Sequence, residues 1–68
     1  MNFAAARIME CRARIDALLV RVEGMKALNA MRQDQGLAQA YAEEAFIKVS
    51  EEIDGIGNLM HELAEKVE

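Results

Sequence analysis

The sequence predicts an all-α fold, an antiparallel hairpin of two helices over about 3–33 and 37–67, and three observations lead there. Two long apolar stripes repeat with alternating spacings of three and four residues, the pattern that holds one side of a helix against a partner helix. Between the stripes lies the one cluster of turn-forming residues, Arg32, Gln33, Asp34, Gln35 and Gly36. Proline is absent, and the abundant Ala, Leu, Met, Glu and Arg favour helix along the whole chain.

The first helix follows from Ile8, Cys11, Ile15, Leu18, Val22 and Met25, with Asn29 continuing the stripe as a polar position. At the turn, Gly36 is suited to the left-handed conformation that ends a helix, and Asp34 is a candidate cap for the next one. The second helix follows from Ala42, Phe46, Val49, Ile53, Ile56, Met60, Leu63 and Val67. Gly55 and Gly57 sit inside this run. Because the stripe passes them in phase, the helix is expected to continue through both, at a cost of about 1 kcal/mol per glycine.

Folding the stripes against each other pairs Ile8 with Leu63, Cys11 with Met60, Ile15 with Ile56, Leu18 with Ile53, Val22 with Val49, and Met25 with Phe46. Each pair of numbers sums to 71, which centres the turn between Gln35 and Gly36. The same register sets Lys26 opposite Glu43 and Arg21 opposite Glu52 beside the seam.

Sixty-eight residues make a single domain, 1–68, close to the smallest size that folds without a disulfide, a metal or self-association. With Cys11 as the single cysteine and His61 as the single histidine, neither an internal disulfide nor a structural zinc site is expected. A reducing, cytoplasmic location fits that cysteine usage. Glu10 and several arginines interrupt the N-terminal region before any apolar run long enough for a signal or a membrane span.

Charge divides the chain. Residues 1–33 carry a balance of plus three and residues 34–68 one of minus seven, for a total of minus four. That total weighs against a general nucleic-acid binder.

The first helix has a second face. Ala13, Ala17, Val20, Gly24, Ala27 and Met31 also recur at four-three spacing, roughly opposite the seam, and Ala6 extends the line. Small residues at that repeat let another helix approach closely, so a homodimer forming a four-helix assembly is expected, with these six residues at its interface. The outer face of the second helix, by contrast, is polar and expected to be solvated.

Motifs for chemistry are weak. Gly55-Ile56-Gly57 lacks the third glycine and the preceding strand of a dinucleotide loop, and no Lys-Ser or Lys-Thr follows it as in a nucleotide loop. His61-Glu62-Leu63-Ala64-Glu65 starts like a zinc-protease motif and ends in Glu where the second histidine is required. Cys11 lies on the inner stripe and reads as a buried core thiol. No cofactor, metal or catalytic residue is expected. The run Arg12-Ala13-Arg14-Ile15-Asp16-Ala17-Leu18-Leu19 is similar to the opening helix of all-helical chorismate mutases, a resemblance that makes Arg14 the matching substrate-binding position.

A binding role is the stronger expectation. Leu19, Val20, Leu28 and Met31 of the first helix and Leu37, Tyr41 and Ile47 of the second are apolar yet unused by the seam. Leu19, Val20, Met31, Leu37 and Tyr41, with Glu23 and Glu44 beside them, are the candidate partner-binding residues, since tyrosine and methionine suit energetically central contacts. In size, hairpin pattern, acidic balance and Ala- and Arg-rich composition, the chain resembles small phage or bacterial helical-hairpin anti-activators of the phage anti-quorum-sensing type. The resemblance implies stoichiometric inhibition of a host regulatory protein, a LuxR-type transcription factor or a motor ATPase. Two further readings are a copy-control hairpin that binds paired RNA loops, with Arg7, Arg14 and Arg21 in line for phosphates, and a secretion chaperone.

Overall fold

The structure, a computed structural model, describes residues 3–67; residues 1–2 and 68, the ends of the expected domain, lie outside them. Helix α1 spans Phe3–Asp34 and helix α2 spans Glu43–Ala64, and the two pack against each other as an antiparallel hairpin. The molecule is long and flat, 54 × 19 × 9 Å, with a radius of gyration of 16.1 Å. A compact chain of this length would have a radius near 11 Å.

The seam is the one the sequence pattern specifies. Ala4, Cys11, Leu18 and Met25, seven residues apart, are the buried positions of α1, and Ile8, Ile15, Val22 and Asn29 beside them are half-buried. On α2, Val49 is buried and Phe46, Ile53, Ile56, Met60 and Leu63 are half-buried. Leu18, Met25 and Val49 form the centre of the core, and Val22, Tyr41, Ala45, Phe46, Ile53 and Ile56 pack on it. The three predicted layers nearest the turn therefore fall inside one cluster.

Helix α2 passes through Gly55 and Gly57 unbroken. Continuous hydrophobic phase outweighs the local cost of two glycines, because breaking the helix would take Ile56, Met60 and Leu63 off the seam. The stripe ends are a different matter. Ala42 and Val67 are exposed, and α2 stops at Ala64, where the amides of Lys66 and Val67 turn back to the carbonyls of Leu63 and Ala64.

The expected start of the second helix near residue 37 is corrected to Glu43, because side chains of α1 capture the connecting segment 35–42. Gly36, at φ 73°, reverses the chain: its amide donates to the carbonyl of Gln33 at 3.0 Å, and that of Leu37 donates to Arg32 at 2.8 Å. These two bonds make the glycine-terminated helix end in which the last carbonyls find donors. Beyond it, Arg32 Nε donates to the carbonyl of Ala38 at 2.7 Å. Asn29 Nδ2 donates to the carbonyl of Tyr41 at 2.8 Å, and the Tyr41 amide donates to Asn29 Oδ1 at 2.9 Å. Carbonyls that would accept from later amides in a helix are thus bound by side chains instead. Asp34 belongs to α1 and caps nothing; the residue preceding α2 is Ala42, extended and with no side-chain cap. Glu43 and Glu44 in the first turn are instead favourably placed toward the positive end of the helix dipole.

The two predicted cross-seam ion pairs are also corrected. Lys26 pairs with Glu23 on its own helix at 3.3 Å, and neither Lys26 with Glu43 nor Arg21 with Glu52 forms a bridge. Exposed long side chains gain little from reaching across a seam when a partner lies one turn away.

Two stability measurements check this account. Asn29→Ala leaves a half-buried amide and carbonyl of Tyr41 without their partner, and chemical unfolding should show a loss of about 1–3 kcal/mol. Gly55→Ala should raise stability by up to about 1 kcal/mol, since a Cβ added there meets nothing within 4 Å.

Candidate partner-binding surface

All six residues of the second α1 face, Ala13, Ala17, Val20, Gly24, Ala27 and Met31, are exposed in the hairpin. Val20 at 72% and Met31 at 51% are large apolar side chains left to solvent. A side-chain atom added at Gly24 would meet nothing within 4 Å, so the face is an open strip rather than a filled groove. This second face gives α1 a weaker net amphipathicity than α2, whose outer face is polar.

The remaining predicted contact residues do not form one patch. Leu19, half-exposed, lines a groove of about 270 Å³ on one side of the seam with Phe46, Ile53 and Asp54. Leu37, also half-exposed, lines a separate hollow of about 560 Å³ with Asn29, Gln33 and Gln39 at the turn. Tyr41 is half-buried, packs on the core cluster and has both backbone groups held by Asn29. Glu23 is exposed and paired to Lys26, and Glu44 is exposed in the first turn of α2.

On the other side of the seam, Arg7, Glu10, Cys11 and Arg14 face Glu52, Gly55, Ile56 and Leu59 across an open groove of about 400 Å³. The missing side chain of Gly55 leaves that space open. Its rim carries both signs of charge, so it offers no concentrated field for an anion. Arg14, the position marked by the likeness to chorismate mutases, lies here beside two glutamates. Cys11 is a buried free thiol at its floor, and His61 is exposed and 3.6 Å from Glu65. Among the described residues no group of three or more His, Cys, Asp or Glu side chains is placed to hold a metal ion. No helix is long and apolar enough to cross a membrane.

Asn29 of the seam stripe and Arg32 of the turn cluster anchor the turn, a role the pattern does not assign them, and Phe3 and Met9 are 78% and 71% exposed near the open end. Asn29 carried a signal, since a polar amide in an otherwise apolar stripe needs a partner. The exposure of Phe3 and Met9 carried none that distinguishes them from other helix-surface residues.

No family model, curated protein or solved structure matches this chain.

The placement of Tyr41 and Leu37 separates folding from docking. Tyr41→Ala should lower the unfolding free energy by about 1–3 kcal/mol through lost core contact. Leu37→Ala should stay within about 0.5 kcal/mol of the parent, both read from urea transitions.

Proposed function

We propose that the chain is a non-enzymatic protein-interaction module that works as a homodimer and binds a regulatory protein of its host stoichiometrically. The observation that carries this reading is the exposed apolar and small-residue face of α1. The surface area supports it: 5376 Å² for 7.6 kDa is about 1100 Å² more than a compact monomer of that mass exposes. A standard interface buries roughly 800 Å² per partner, so pairing through α1 brings the exposed area toward the ordinary range. Among the described residues five are buried, a small core for a fold that stands alone, and covering that face would add to its stability.

The partner class follows from the resemblance to phage anti-activator hairpins together with the charge division of the chain. Glu44, Glu51 and Glu62 are exposed on α2, where they suit a basic, DNA-contacting surface on a transcription factor. Occlusion of that surface requires neither a catalytic group nor a cofactor. RNA binding by the line of Arg7, Arg14 and Arg21 is the less favoured reading, because Glu10 and Glu52 share the groove with Arg7 and Arg14 and repel phosphate.

Two variants test the proposal. Ala17→Glu, in the middle of the α1 face, should convert a dimer to a monomer in light scattering at micromolar concentration. Leu37→Asp, off that face, should keep the dimer and reduce binding to a purified LuxR-type regulator at least tenfold in titration calorimetry. A monomeric parent chain would overturn the assembly, and a parent that leaves the regulator on its operator DNA would overturn the inhibitory role.

A further inference from the structure

The strip on α1 has flanks of opposite sign. In the heptad frame of Ala13, Ala17, Val20, Gly24, Ala27 and Met31, Arg14 and Arg21 run along one edge, and Asp16 and Glu23 run along the other. All four side chains are exposed, and Arg14, Asp16 and Arg21 form no ion pair within the hairpin. Glu23 is held only by its exposed neighbour Lys26. No bridge to an acid of α2 ties these side chains down, as one from Arg21 to Glu52 would have done.

When two identical helices pair along such a strip, the flanking charges select their direction. Parallel pairing brings the basic edge of each helix against the acidic edge of the other. Antiparallel pairing sets arginines against arginines and acids against acids. From these edges, and resting on the homodimer proposed above, we infer that the second copy docks on α1 in the parallel sense, with Asp16 of each chain facing Arg21 of its partner. The facing side chains lie five residues apart along the chain, the offset at which edge positions meet in parallel two-stranded coiled coils. The contact runs from Ala13 to Met31 and stops where Glu10 interrupts the strip. Small residues at Ala13, Ala17, Gly24 and Ala27 bring the backbones close, and Val20 and Met31 supply the larger apolar contacts.

Parallel pairing has a consequence for the partner. Both turns then lie at the same end of the assembly, so the two Leu37 hollows form a pair related by a twofold axis. That arrangement fits a target that is itself a twofold dimer, and linked engagement of both copies raises apparent affinity without new contacts.

The test measures direction and charge separately. In a Cys11→Ala background whose helicity matches the parent, Asp34→Cys carries a spin label at the end of α1. Parallel pairing places the two labels within about 25 Å, on helix axes 8–10 Å apart; antiparallel pairing about Val20 places them about 40 Å apart, from 1.5 Å of rise per residue. Without labels, Asp16→Arg should weaken the dimer at least tenfold at low salt, and adding Arg21→Glu should restore it. A labelled dimer with the long separation, or an Asp16→Arg dimer that is tighter than the parent, overturns the parallel arrangement while leaving the homodimer intact. A parent chain that stays monomeric at high micromolar concentration overturns both.

Discussion

The architecture turns on one side chain, Asn29. Its amide meets both backbone groups of Tyr41, accepting from one and donating to the other, much as a neighbouring strand would. This reciprocal pairing ties the connecting segment to α1 six residues before the helix gives way to the turn at Gln35. Because it is satisfied in both directions, the polar residue enters the seam without an orphaned donor or acceptor, and no buried side-chain polar atom of the described residues lacks a partner. The Tyr41 ring is thereby delivered to the core cluster beside Met25 and Phe46. The turn and the closed end of the core both depend on that contact.

From this follows an unequal molecule. The turn end is held by hydrogen bonds from Asn29, Arg32 and Gly36, whereas an open groove lies beside the seam at Gly55, further from the turn. A two-helix seam buries one side of each helix and leaves the opposite side to water. On α2 that side is polar and costs little to hydrate. On α1 it is small and apolar, with Val20 and Met31 left exposed, a surface that costs more to hydrate.

Charge acts at a different level from packing in this protein. Opposite net charges on the two halves suggest ion pairs across the seam, yet among the described residues the contacts that form, Lys26 with Glu23 and His61 with Glu65, join neighbours three and four residues apart. The core is apolar and sets the hairpin register, while most charged side chains remain solvated.

The sequence by itself determined the fold class, both seam stripes, the continuity of α2 through two glycines, the reversal at Gly36 and the unpartnered face of α1. These features rest on periodicity and on glycine's tolerance of a left-handed backbone, which are properties of the chain read locally. Only the tertiary structure decided that α2 begins at Glu43 instead of near Leu37. The segment Leu37-Ala38-Gln39-Ala40-Tyr41-Ala42 is rich in helix-forming residues, and local propensity favours helix there. Donors and acceptors from Asn29 and Arg32, distant in sequence by six to twelve residues, outweigh that preference by binding the backbone directly. The dispersal of Leu19, Leu37 and Tyr41 among a side groove, a turn hollow and the core has the same origin: once the connection is not helical, residues that a continued helix would align no longer share a face.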